Sequence, residues 1–220
     1  MLSENAVIIL DDVYDDAVAA LKQCGGYLAD AGEKQKIQDT LWVDGHLNRR
    51  VIAKDAAVFA AEAGLSGDAG AAKFFMVEDD APGPGHPFAD EKLSLVLTVY
   101  RARDFGDAMD HVRAIMDVCG LGHSVGIHTD NMDHARKLAE DLDTVRVLVN
   151  QAHTFGNGGS FTNGLEFTLS MGCGTWAGNS ISENLNYRHF INVTHLVTEI
   201  AEDKPSEQEL FGDYWAKYEK

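Results

Sequence analysis

The chain has 220 residues, 45 % of them hydrophobic, which is material for one large core or two small ones. Against 35 acidic side chains stand 18 basic ones, a net charge of −17 that repels phosphate backbones and anionic lipid, so no nucleic acid and no membrane is expected as a partner. Three cysteines without CxxC spacing, no basic leader and no apolar run of bilayer length predict a cytoplasmic protein with reduced thiols.

In chain order, Ala6–Leu10 is a continuous apolar run suited to a strand buried on both faces. Asp11 and Asp12 suit a helix start; Val13, Val18, Ala19 and Leu21 fall on one face of that helix, and Gly25 and Gly26 stop it. Helices are predicted over 33–41 and 54–63, the second ended by Gly64. A strand over 73–77 and a loop over 79–87, interrupted by Pro82, Pro84 and Pro87, come next. A strand over 93–100 leads to an amphipathic helix over Phe105–Val118, with Ala108, Met109, Val112, Ile115 and Met116 near one face and Gly120 and Gly122 as its stop. A strand over 124–128, a helix over 132–142 and a strand over 145–149 complete an alternation with short connections. That alternation predicts an α/β fold, a parallel sheet with helices on both faces. The stretch 156–178 is rich in Gly, Asn, Ser and Thr and is long for a loop in a compact domain, as functional loops often are. A late strand is predicted over 190–197, and Pro205 opens a terminal amphipathic helix through Leu210, Phe211, Trp215 and Tyr218.

Few residues carry chemistry by themselves. Gly120, Gly122 and Gly126 are spaced a little like a dinucleotide fingerprint, but a phosphate cradle needs strand, turn and helix N-terminus, and here a helix leads into a strand. The helix-stop reading is therefore preferred. His123, His128 and His134 match no zinc spacing, so no metal is expected. His123 still stands out, at a helix-to-strand switch where a side chain can point into a cleft. Gly172, Cys173 and Gly174 set a thiol on an open backbone with no base nearby in sequence, which favours a structural thiol over a nucleophile for another reaction. Cys24 and Cys119 lie at helix C-termini, where the dipole disfavours a thiolate. Glu91, after a Pro-rich loop and before a strand, can accept two hydroxyl hydrogen bonds from a ribose, or can be a solvated charge at a strand start.

Several strings together resemble the CoA-acylating branch of the aldehyde dehydrogenase superfamily, which includes acetaldehyde, sulfoacetaldehyde and succinate-semialdehyde dehydrogenases. They are Glu91-Lys92-Leu93-Ser94-Leu95-Val96-Leu97, Gly120-Leu121-Gly122-His123-Ser124 with Ile127-His128, and Arg146-Val147-Leu148-Val149-Asn150. The most specific is Gly172-Cys173-Gly174-Thr175-Trp176-Ala177-Gly178-Asn179-Ser180-Ile181-Ser182-Glu183-Asn184. Order and spacing match over about 3–197.

The resemblance implies a catalytic domain over 1–187, followed by an oligomerisation strand and tail helix over 188–220, with the NAD domain largely absent. In the family a cysteine thiolate adds to the aldehyde, hydride passes to the nicotinamide, and CoA takes the acyl group from the thioester. That cysteine stands in a Cys-x-Ser-Glu-(Asn/Gln) string just before a strand like Ala6–Leu10. Here the string reads Met1-Leu2-Ser3-Glu4-Asn5, so Met1 holds the cysteine's place, and a thioether forms no thiolate. By resemblance, Glu91 holds the nicotinamide ribose of NAD or NADP, and Leu93 packs near the ring. His123 orients CoA or assists proton transfer, and Gly172, Cys173 and Gly174 belong to a loop over 172–179 close to the reacting centre. The partners implied are a small aldehyde and coenzyme A, and in full-length form a homo-oligomer joined through 190–197. The expectation is an oxidoreductase fragment, inactive alone. The competing expectation is a non-catalytic module of the same fold that assembles with an intact dehydrogenase subunit.

Overall fold

The computed structural model describes residues 4–218. The chain divides into two compact units, Met1–Asn186 and Tyr187–Lys220. The first half of the larger unit runs β1 (Ala6–Leu10), α1 (Tyr14–Gln23), β2 (Gly26–Leu28), α2 (Ala31–Leu41), β3 (Trp42–Val43), β4 (His46–Leu47) and α3 (Ala56–Glu62). It continues with β5 (Phe74–Glu78), β6 (Val96–Ala102), α4 (Phe105–Val118), β7 (Val125–Ile127), α5 (Met132–Asp141), β8 (Val147–Val149) and α6 (His153–Gly156). The smaller unit holds a 3-10 turn over Tyr187–His189 and α7 (Glu207–Tyr218).

The predicted parallel sheet is present. Four strands pair in parallel in the order β1-β6-β5-β2, and β7 and β8 form a separate parallel pair. Alternation along each strand sends neighbouring side chains to opposite faces. Met76 and Val99 join Ile9 against Tyr14 and Val18 of α1. Phe75, Val77 and Val96 face the other way, into a core with Ile37 and Leu41 of α2 and Phe59 of α3. A third cluster joins Met109 and Met116 of α4 to Leu138 and Leu142, with Val125 and Val147 packed against it. Helices thus cover both faces, as the alternation predicted. Among the described residues no helix is long and apolar enough to cross a membrane.

Local chemistry shifts several boundaries. Asp30 and Glu33 form a capping box, Asp30 Oδ1 accepting from Glu33 N at 2.8 Å and Glu33 Oε2 from Asp30 N at 3.0 Å. The helix therefore starts at Ala31 rather than at Glu33. The buried face of α1 carries Tyr14 and Val18, one helical turn apart, while Val13 and Ala19 are exposed. The strand predicted over 93–100 begins only at Val96, because Leu93 has φ 45° and gives its carbonyl to Ala53 N at 2.8 Å in a turn. The strand predicted over 190–197 is absent from the described residues. An extended segment completes its ladder only with a neighbouring strand, and none pairs with it. The terminal helix starts at Glu207, two residues after Pro205, where Ser206 Oγ accepts from Glu209 N at 3.2 Å and Glu209 Oε2 accepts from Ser206 N at 2.7 Å.

Candidate active site

Three residues singled out by sequence lie where the chain enters its parallel strands, Glu91 and Leu93 before β6 and His123 before β7, and Asn5 stands likewise before β1. Asn5 grips the Glu91 backbone from both sides. Its Nδ2 donates to Asp90 O at 3.0 Å and its Oδ1 accepts from Lys92 N at 3.2 Å. Its own carbonyl takes Thr98 N of β6 at 3.2 Å. Glu91 N closes the turn by donating to Asp90 Oδ1 at 2.7 Å. Beneath it, Lys92 is fully buried, with Nζ donating to the carbonyls of Phe88 at 2.9 Å and Asp90 at 3.3 Å. Burial lowers the lysine pKa to about 7. Cys119, at the end of α4, packs on this turn, and burial raises its thiol pKa.

His123 is half-buried, and its Nδ1 lies 2.7 Å from Ser124 Oγ. Ser124 Oγ accepts from Asn157 Nδ2 at 3.1 Å, and Asn157 is fully buried. Asn184 Nδ2 in turn donates to the carbonyls of Asn157 at 3.0 Å and Glu166 at 2.7 Å. Arg146, only 5 % exposed, completes the hub. Its guanidinium donates twice to Asn184 Oδ1, at 2.8 and 3.1 Å, to Gly172 O at 2.9 Å and to His123 O at 3.3 Å. Its planar fork suits that set of fixed acceptors. Burial lowers the His123 pKa, the charge on Arg146 adds to the effect, and the Glu91 carboxylate opposes it.

The Gly172–174 loop is tied to the same place. Gly122 has φ 78°, and a Cβ there would collide with the backbone carbonyl of Cys173. Gly172 is similarly closed in by the Ile181 carbonyl, and Gly174 has φ 65°. Cys173 N donates to Asn179 Oδ1 at 2.9 Å, and the thiol's hydrogen-bond partner among the described residues is Met171 O at 3.9 Å. Among the described residues no base is hydrogen-bonded to that sulfur.

The structure therefore brings His123 and Gly172–174 together through Gly122 and Arg146. Leu93, half-buried in its turn, stands two residues from Glu91. His128 is exposed, and His134 stacks on Phe105 with ring centroids 3.9 Å apart. No group of three or more His, Cys, Asp or Glu able to hold a metal occurs among the described residues. Met1 lies outside the described residues. Glu4 Oε1 accepts from His153 N at 3.0 Å, and hydrogen bonding from the His153 side chain, foremost, lowers the Glu4 pKa to about 2.

Sequence reading missed the residues that hold this site: Asn5, Lys92, Ser124, Asn157 and Asn184. The one visible signal was Arg146, a charge inside the apolar run over 145–149, which can be buried only if several acceptors meet it. The partners themselves come from segments far apart in sequence and carry no local pattern.

No protein-family model matches the chain. It is 44 % identical over 219 residues to an acylating sulfoacetaldehyde dehydrogenase of Cupriavidus necator, covering 99 % of this chain and 44 % of that protein. A second acylating sulfoacetaldehyde dehydrogenase, from Bilophila wadsworthia, is 40 % identical over 99 % of this chain and 48 % of its own length. The acetylating succinate-semialdehyde dehydrogenase of Clostridium kluyveri is 36 % identical over 96 % of this chain and 46 % of its own. Among solved structures, an acetylating aldehyde dehydrogenase from Geobacillus thermoglucosidasius superposes with a TM-score of 0.83 at 32 % identity, covering 92 % of this chain and 45 % of that one. The chain spans about half the length of the curated relatives it matches. Homologous along nearly its whole length, and folded as they are, this chain belongs to the CoA-acylating aldehyde dehydrogenases as a partial domain.

Proposed function

We propose that this chain is the catalytic-domain portion of an NAD- or NADP-dependent oxidoreductase that converts a small aldehyde, with sulfoacetaldehyde the first candidate, to its acyl-CoA. The observation that carries the reading is the contact of the Gly122 backbone, next to His123, with the Cys173 backbone; Asn5 also clamps the backbone on either side of Glu91. Glu91 fits a ribose, since its carboxylate is partly exposed and an ionised carboxylate only accepts, as a diol requires. When bound, the dinucleotide supplies the hydride acceptor. His123, kept neutral by burial, is suited to orient a polar group of CoA or aldehyde or to pass a proton. The Gly172–174 backbone walls the site without side-chain bulk. A homo-oligomer and a cytoplasmic location go with this reading, the latter because thiol chemistry needs reduced thiols.

With methionine in the cysteine's place, the 220-residue chain by itself is inferred not to turn over aldehydes. A chimera tests both statements: the upstream half of the Cupriavidus necator relative joined to this chain, once with Met1 and once with Met1→Cys. The Met1→Cys form is expected to oxidise sulfoacetaldehyde with CoA and NAD or NADP, and the Met1 form to be silent. A folded Met1→Cys chimera that makes no acyl-CoA from sulfoacetaldehyde, acetaldehyde or succinate semialdehyde counts against the function; turnover by the unmodified chain counts against its inertness.

A second reading, a non-catalytic module that assembles with an intact dehydrogenase subunit, is favoured by one observation. Phe190, Leu196, Val197 and Ile200 are all exposed. Co-purification with an intact subunit, in preference to self-association, distinguishes it.

A further inference from the structure

We propose that Ser124 and Asn157 are positioning residues that fix the His123 ring with its proton on Nε2. The argument is one of donors and acceptors. Asn157 presents its amide Nδ2 to Ser124 Oγ at 3.1 Å, so the serine oxygen is already an acceptor on that side. The same oxygen lies 2.7 Å from His123 Nδ1. A hydroxyl has a single hydrogen to give. In this amide orientation, which leaves Asn157 Oδ1 buried without a partner among the described residues, that hydrogen finds its acceptor among the described residues only at Nδ1. An acceptor Nδ1 has no proton, so in the uncharged ring the proton sits on Nε2. The opposite tautomer would have Nδ1 and Asn157 both donating to Ser124 and leave the serine hydrogen without an acceptor among the described residues.

The relay is built on a rigid base. Asn157 is fully buried, and its backbone carbonyl is held by Asn184 Nδ2 at 3.0 Å, while Asn184 Oδ1 takes two guanidinium hydrogens from Arg146. Arg146 also holds the His123 carbonyl, so the backbone of the histidine and the group that orients its ring hang from one hub. His123 Nε2 has no hydrogen-bond partner among the described residues. The relay thus presents an N–H suited to an acceptor atom: the oxygen that gains negative charge when an aldehyde or thioester carbonyl is attacked, or the sulfur of CoA. Ser124 and Asn157 touch neither substrate nor cofactor in this assignment; they act through the ring. The catalytic meaning of the relay rests on the function proposed above, whereas its existence does not.

The test is nitrogen-15 NMR of the histidine-labelled full chain at about pH 8, above the ordinary imidazole range. His123 is assigned by its disappearance in His123→Gln. The expected spectrum has an unprotonated Nδ1 and a protonated Nε2. Ser124→Ala is expected to move both resonances toward the averaged values of a free imidazole, and Ser124→Thr, which keeps the hydroxyl, to retain the wild-type pattern. Asn157→Asp, which turns the amide donor into an acceptor, is expected to exchange the two resonances. A wild-type Nδ1 that carries the proton overturns the proposal, as does a Ser124→Ala spectrum superimposable on wild type. If Asn157→Asp does not fold, the Ser124 pair and the wild-type spectrum decide the matter. Failure of the chimera described above, with the tautomer as expected, would remove the function and leave the relay standing.

Discussion

The hub around Arg146 and the segment over 190–200 treat their side chains in opposite ways. At the hub a full charge and two asparagines are taken out of water, and their donors meet fixed acceptors from four separate segments of chain. Over 190–200 the side chains that water disfavours are left in it, with Leu196 93 % and Val197 84 % exposed. A buried polar hub is costly unless completed, and this one is met within the larger unit except at Asn157 Oδ1, which is buried without a partner among the described residues. Exposed Leu and Val in a row leave an apolar stretch of the smaller unit uncovered by the described residues.

The largest expected effect comes from opening the hub. Arg146→Ala leaves Asn184 Oδ1, Gly172 O and His123 O without their donor, which should cost about 3–5 kcal/mol of stability. Arg146→Lys keeps the charge but loses the fork, and should recover less than half of that loss. Urea unfolding midpoints of the two variants measure it. Equal midpoints for wild type and Arg146→Ala would mean the hub is ornamental and the contrast with the tail empty.

Lys92 sharpens the comparison from inside the larger unit, because it is a buried amine whose hydrogen-bond partners among the described residues are two neutral carbonyls. Its pKa falls from 10.5 to about 7 on folding. Between those values the unfolded chain binds more protons than the folded one, so stability rises with pH across that window. The penalty is fully present below about pH 7 and relieved toward pH 10.5, a span of order 2–4 kcal/mol. The lowered His123 pKa acts in the same sense at lower pH, and the raised Tyr14 and Tyr100 pKa values act in the opposite sense above the ordinary tyrosine range. Unfolding midpoints from pH 7 to 10, about the range between the two lysine values, should climb in wild type and run flatter in Lys92→Met.

Gly122→Ala comes next, at about 2–3 kcal/mol, since it adds a Cβ at φ 78° and drives it into the Cys173 carbonyl. Proteolysis within 170–180 should speed up in that variant, and an unchanged rate would break the link between Gly122 and the loop. This glycine also shows how far the sequence could be read. It was legible as a helix stop, because a glycine after an amphipathic helix is a local signal. Its second role, admitting the Cys173 backbone, depends on a residue fifty positions away and left no mark nearby. The same division holds across the molecule. Periodicity located β1, α4 and the parallel alternation, and the strings around Glu91, His123 and Gly172 located the family. Leu93 was misread as strand because its apolar neighbours concealed a left-handed turn. Asn157 and Asn184, the buried partners that orient the site, looked like ordinary loop polar residues.

The smallest expected change in stability lies in the tail, and it separates the two regions most cleanly. Leu196→Glu with Val197→Glu replaces two side chains that touch little, so the unfolding midpoint should move by no more than about 0.5 kcal/mol. Self-association is another matter. If 190–197 completes its hydrogen bonds against a second subunit, two charges on that segment should block the pairing while leaving the larger unit intact. Sedimentation of wild type against the double variant reads the difference: a drop in oligomer mass with an unmoved midpoint is the expected result. A midpoint that falls by the amount seen for Arg146→Ala would instead mean that these side chains are buried within the chain's own fold, and that the tail and the hub are built on the same principle after all.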